Sequence, residues 1–297
     1  VMKLIQDGKV KLDDKALDIL NDFAPPNGTI KDPRWREITV EQLLEHTGGF
    51  SLENGDRQVT YLRKAADAFG TPRPATTRQI IEYGMGEMLD FDPGTKYVYS
   101  NFGYNILGRI IEKISGKTYE QYVRDEILAP AGVTDMVIAK TRLRDKLPNE
   151  VIYYGNPMYE PMWSVLDDPE QVNFPYGGDY FIEVMDAHGG WLSRAEDLLK
   201  FVTSTDPTTS RPHVLKPETV KLMLAKPQYM ADPNATEYYA KGWDYNTETD
   251  SYYHAGALWG VSSFIFRYGN GVSVAMIFNY LAMEQLGDFF SDLKYGL

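Results

Sequence analysis

The sequence contains no cysteine, so disulfide bridges, thiolate metal ligands and cysteine nucleophiles are excluded. It contains only four histidines, His46, His188, His213 and His254, and none stands within five residues of another. The His-x-x-x-His and Glu-x-x-His spacings that put metal ligands on one helix face are missing, so neither a metal nor another cofactor is expected. There is no Gly-x-x-x-x-Gly-Lys-Ser phosphate loop and no Gly-x-Gly-x-x-Gly fingerprint. No Gly-x-Ser-x-Gly elbow occurs, which removes the nucleophile of an α/β-hydrolase. No apolar run reaches the roughly 18 residues of a membrane span. Positive charge is in short supply, with 30 Lys and Arg against 42 Asp and Glu and a net charge of −12, which argues against nucleic acid and anionic membrane as partners. None of these absences identifies a compartment.

What is present is ordinary globular material, 297 residues with 43% hydrophobic and 24% charged. A chain of this size buries about three quarters of its unfolded surface and needs no staple. Capping boxes mark helix starts at Thr39 with Gln42, with Ile38 able to staple onto Leu43, and again at Thr76, at Thr118 with Gln121, and at Ser193 with Glu196. The first of these helices is expected to run to Gly48-Gly49. In SNFGYNILGRIIEKISG, Ile106, Leu107, Ile110, Ile111 and Ile114 share one face and Gly116 closes the helix. Pro217 sits just inside another start, and Met283, Leu286, Phe290 and Leu293 recur at helical spacing near the end. At the beginning, Val1, Leu4 and Ile5 before Gly8 predict the last two turns of an amphipathic helix. Residues 137–190 are rich in Tyr, Pro, Asp, Asn and Gly and are expected to form long ordered loops. The strongest β signal is VSSFIFRYGNGVSVAMIFNY, a hairpin around Gly269-Asn270-Gly271. Helices first and antiparallel strands late predict an α+β fold. The expected division is a sheet lobe from 1–35 with 190–297, and a mainly helical lobe from 36–189.

Three stretches carry polar groups where chemistry is feasible. Tyr99 and Asn101 stand on the turn that starts a strong helix, near its positive end, where a phenol is expected to lose its proton more easily. Asn101 or Ser100 is also the expected cap. His254 precedes Ala255-Gly256 at the start of a strand pair, where small residues admit a close approach. Gly189-Gly190, beside His188, precedes a capped helix. Taken singly, each reads more readily as a cap, a surface His and a tight loop.

In order, VMKLIQDGK, LLEHTGGF, PGTKYVYSNFGYNILGRIIEKISGKTYEQYV, GGWLSRAEDLLKF and HAGALWGVSS resemble the serine β-lactamase-like family. That family takes in class C β-lactamases, D-Ala-D-Ala peptidases, D-aminopeptidases and β-lactamase-fold esterases. The resemblance runs from Val1 to the last helix and is weakest over 137–190. It implies an antiparallel sheet flanked by helices beside a helical lobe, and catalysis by a Ser-x-x-Lys pair at the head of a buried helix, through an acyl-enzyme. The segment at Val1 corresponds to the later turns of that helix. The nucleophile and the preceding strands are thus expected upstream of Val1, with an apolar trench beside Leu4 and Ile5 and an unpaired sheet edge. Residues not included here, or a second polypeptide such as an N-terminal fragment, would complete the fold, and these 297 residues alone are expected to be inactive. Ser291 and Lys294 read Ser-x-x-Lys, but nothing apolar follows to bury that Lys, and the pair is set aside.

Residue by residue, the resemblance makes Tyr99 the general acid/base and Asn101 the group that binds the substrate amide or supports the Lys. His254, Ala255 and Gly256 match the family's Lys-Thr-Gly strand, with His in place of Lys, and the Ala257 N–H matches one oxyanion donor. A neutral His suits a carboxylate poorly, and Trp259 adds a flat apolar wall, so small esters, uncharged amides or peptides are favoured over β-lactams. The alternatives are a non-catalytic relative that binds a ligand or peptide in a retained cleft, and a structural helical module without a site.

Overall fold

The computed structural model describes residues 1–53, 55–154, 161–167, 170–178 and 180–280. The expected closing helix, with Ser291 and Lys294, lies outside the described residues. Helix α1 (Met2–Gln6) stops where Gly8 takes φ +69°, a backbone state that costs glycine nothing. Leu4 is fully buried in the main core, so the trench expected beside Leu4 and Ile5 is not found there. A cavity of about 270 Å³ opens instead beside Val1, Met2 and Lys3, walled by Leu107, Ile111, Phe201 and Trp243. Helix α2 (Ala16–Ile19) follows, then a 3-10 turn, Pro33–Glu37.

Helices α3 (Val40–Leu44), α4 (Arg57–Phe69), α5 (Thr77–Met85) and α6 (Asn101–Ser115) make the helical core. The capping boxes of Thr39 with Gln42 and Thr76 with Gln79 are both complete, each side chain satisfying the other residue's N–H. Helix α3 does not reach Gly48-Gly49, because His46 adopts φ +55° and turns the chain out of the helix. Helix α6 packs on α3, α4 and α5. Its Phe102 is fully buried, edge-on to Phe50 at 4.9 Å and Trp35 at 6.1 Å. A Cβ on Gly84 of α5 would lie 2.5 Å from Phe102 Cζ. Gly84→Ala should therefore cost about 1–3 kcal/mol by overpacking, despite the better helix propensity of Ala. Urea unfolding with an unchanged slope is the check, and a neutral or stabilising result would mean that Phe102 yields freely.

Helix α7 (Tyr119–Val123) runs into a π-helical turn, Arg124–Leu128. Short strands β1 (Val137–Ile138), β2 (Met162–Trp163), β3 (Gln171–Val172) and β4 (Trp191–Leu192) pair β1 with β4 and β2 with β3. The rest of the described stretch between β1 and β4 is loop and 3-10 turn. In helix α8 (Ala195–Ser204) the N-cap is Arg194, not Ser193. The Ser193 hydroxyl donates to the Arg194 carbonyl at 2.9 Å, so it serves no helix N–H. Helix α9 (Pro217–Met223) begins at its proline and touches α1.

The sheet is antiparallel in the order β5 (Glu237–Tyr239), β6 (Asp244–Asn246), β7 (Ser251–Leu258), β8 (Val261–Arg267), β9 (Ser273–Phe278). The β8–β9 turn falls at the expected glycines, with Gly271 at φ +89° and the Tyr268 N–H bonded to the Val272 carbonyl at 2.8 Å. Helix α8 covers β8 and β9. Helices and antiparallel strands in this order make the chain α+β. No helix among the described residues is long and apolar enough to cross a membrane.

Candidate active site

Two elements build the site. The first is the start of α6. Ser100 caps the helix, its Oγ accepting from the Gly103 N–H at 3.1 Å, which leaves Tyr99 and Asn101 free of that duty. The Asn101 amide donates to Asp56 Oδ2 at 2.6 Å. Asp56 is itself the cap of α4, Oδ1 accepting from the Gln58 N–H at 2.9 Å, so one carboxylate ties both helix starts together. Burial pushes the Asp56 carboxyl up, opposed by the bonds from Asn101 and Gln58. Burial also pushes the Tyr99 phenol up, helped by the negative charges of Asp56 and Asp244. The shift is opposite to that expected from the helix terminus, because desolvation outweighs the positive end of α6.

The second element is β7. Strand β6 pairs with Ser251–Tyr253 and then ends. Residues 254–258 therefore run on with one edge lacking a strand partner among the described residues. His254 Nδ1 lies 2.7 Å from the Ala255 carbonyl and Nε2 lies 3.2 Å from the Tyr239 hydroxyl. A carbonyl only accepts, so the assigned neutral tautomer carries its proton on Nδ1 and accepts from Tyr239 at Nε2. Burial pushes the His254 pKa down and so favours that neutral form, while the bond to Ala255 acts the other way.

The chain brings all the expected residues to one cleft of about 690 Å³, bordered by Tyr99, Asn101, His254, Ala255, Gly256, Ala257 and Trp259. That volume falls within the usual span of ligand sites, about 300–1,000 Å³. The Tyr99 and His254 rings are 6.3 Å apart. Trp259 is held by Tyr180, whose hydroxyl donates to its carbonyl at 2.9 Å. Gly190, on the same cleft, leaves little room for a side chain, since a Cβ there would lie 3.0 Å from the Ile182 carbonyl oxygen and 3.1 Å from that of Met185. Among the described lining residues there is no carboxylate, and Lys140 is the one Lys or Arg.

The family model described as Beta-lactamase matches residues 1–290. The chain belongs to the Beta-lactamase family. Within this family of serine hydrolases, the chain is 30% identical over 212 residues to an Escherichia coli (strain K12) protein named, provisionally, as a D-alanyl-D-alanine carboxypeptidase, covering 67% of this chain and 45% of that one. It is 29% identical over 268 residues to a Dichelobacter nodosus protein named, also provisionally, for fimbrial assembly (FimD, serogroup H1), covering 89% of this chain and 57% of that one. The chain thus spans about half the length of these curated relatives. Solved structures with the same fold include the penicillin binding protein from Bacillus halodurans, with a TM-score of 0.68 at 19% identity, covering 98% of this chain and 80% of that one. Another is the D-amino acid amidase from Ochrobactrum anthropi SV3 with D-phenylalanine, with a TM-score of 0.67 at 19% identity, covering 100% of this chain and 87% of that one.

In this Beta-lactamase family member Tyr239 and Lys140 line the cleft, and Asp56 and His46 support its Asn101 and Tyr99, without a signal in the sequence. Tyr239 lies on a three-residue strand with no alternation to announce it. Asp56 reads as a simple cap. Lys140 follows β1 in a loop stretch. His46 stands in LLEHTGGF, a stretch that supports the resemblance but suggests no role for that ring.

Proposed function

We propose that this chain belongs to an acyl-transfer hydrolase acting on small esters, uncharged amides or peptides, through an acyl-enzyme on a serine contributed by polypeptide preceding Val1. The observation that carries this reading is the meeting of Tyr99, Asn101 and the His254 strand on one cleft with no carboxylate among its described lining residues. In this reading the serine attacks the substrate carbonyl, and Tyr99 relays a proton towards the leaving group. The Ala257 N–H donates to the oxyanion, together with the N–H of the serine itself. Asn101, its amide turned by Asp56, contacts the substrate amide. Neutral His254 and Trp259 favour an uncharged group over the carboxylate of a β-lactam. The carboxypeptidase and amidase names among the relatives support an amide of a D-amino acid as the first substrate to try. The cleft then lies between a sheet lobe, 1–35 with 190–297, and a helical lobe, 36–189.

The test is labelling by a fluorophosphonate, which marks activated serines. The protein that includes the residues preceding Val1 should take up about one equivalent, on a serine N-terminal to Val1. The 297 residues alone should take up none and hydrolyse neither ester nor amide. An adduct on any serine of the 297 would overturn the placement of the nucleophile. No labelling of the longer protein would leave the non-catalytic, ligand-binding reading.

A further inference from the structure

His46 is the residue that the proposed chemistry leaves unused and the structure ties most closely to Tyr99. Its carbonyl accepts from the Val98 N–H at 3.0 Å. Its ring Nδ1 accepts from the Ser100 N–H, also at 3.0 Å. One residue thus holds the backbone on both sides of Tyr99. The ring also packs against the Tyr99 ring at 4.3 Å, with Tyr104 stacked at 4.8 Å and Tyr239 at 4.6 Å. Because Nδ1 accepts, the neutral ring carries its proton on Nε2, which has no hydrogen-bond partner among the described residues. His46 takes φ +55°, a left-handed conformation open to glycine, tolerated by asparagine, aspartate and histidine, and uncommon for other side chains. A buried residue held at positive φ that makes two bonds around one phenol is more than filler for the core.

We propose that His46 is a positioning residue that fixes the direction of the Tyr99 phenol by clamping Val98 and Ser100. The inference rests on the reading of Tyr99 as the acid/base group. A small turn of that phenol is enough to matter, since a misplacement of about 1 Å costs turnover about a hundredfold.

Three variants of the full-length protein test it with an activated ester. His46→Gly keeps the backbone state and removes the acceptor, and should lower kcat by about 30-fold with KM within about twofold. His46→Asn tolerates the same backbone and presents Oδ1 near the place of Nδ1, and should recover most of that loss. In a Tyr99→Phe background, His46→Gly should cost less than about twofold more, because the phenol it served is gone. Equal losses in the Gly and Asn variants, or a full His46→Gly loss in the Tyr99→Phe background, would overturn the proposal. Should Tyr99→Phe alone leave turnover unchanged, the hydrolase reading of Tyr99 fails, and the clamp is judged by NMR. His46 labelled with ¹⁵N should show an unprotonated Nδ1 from about pH 5 to 8, its pKa lying at about 3 through burial. The Ser100 amide should be protected from exchange in the wild type and His46→Asn but not in His46→Gly. A titrating His46, or Ser100 protection that survives His46→Gly, sinks it.

Discussion

Replacing Tyr99 by Phe in the full-length protein is expected to slow turnover of an activated ester by about a thousandfold, with KM changed by no more than about twofold. The substitution removes one oxygen and leaves the ring contacts with His46 and His254 in place. Cleft shape and ground-state binding should therefore survive. What goes is the proton relay, which matters only in the transition state, so kcat and kcat/KM should fall together. Steady-state kinetics with an ester and an amide of the same acid make the check. The amide should suffer more, since its amine leaves only with a proton. Unchanged turnover would remove Tyr99 from the mechanism.

The second large effect concerns stability. Asp206, just beyond α8, and Arg267, on β8, form a two-point ion pair at 2.9 and 3.2 Å, with side chains 0% and 4% exposed. Arg267→Leu should destabilise the protein by about 3–5 kcal/mol, because it leaves a buried carboxylate bonded only to Thr208. That is a large part of the roughly 5–15 kcal/mol by which a domain is stable. Replacing both partners by apolar residues should restore most of it. The pH dependence has a definite sign. Burial alone would push the Asp206 carboxyl up, but the bonds from Arg267 and Thr208 together hold it below the usual range. A depressed carboxyl stabilises the fold above its unfolded pKa, about 3.9, and that contribution is lost as pH falls through the folded value. The gap between wild type and Arg267→Leu in urea unfolding should thus be widest near neutrality and narrow below about pH 4. An equal gap at both pH values would mean that the pair contributes packing rather than charge.

Sequence legibility followed the range of the interaction. The boxes at Thr39 and Thr76 and the left-handed stop at Gly116 were readable because each is a bond between near neighbours. The Ser193 cap failed by one residue because its hydroxyl had a nearer acceptor, the Arg194 carbonyl. Strands β5 and β6 were missed since three residues carry no periodicity, and their pairing with each other and with β7 is what makes them strands. The site was legible in its parts, Tyr99 with Asn101 and His254 with its small neighbours, but only the order of the motifs joined them. His46, Tyr239 and Asp56 were not legible as site residues. Their meaning lies in contacts across long stretches of chain, such as the bond from Ser100 to His46 and that from Tyr239 to His254. The direction of the Tyr99 shift was missed for the same reason, since burial is set by everything that packs around the ring.

Helix α6 starts at the cleft and continues through Phe102, Ile106 and Ile110 into the fully buried core. The turn that bears Tyr99 and Asn101 thus has no hinge separating it from the most protected part of the molecule. Local opening draws on segments with few buried contacts, and this one has many. On warming, this half of the site should disappear in the same cooperative step as the core, with no separate, earlier melting of the chemistry.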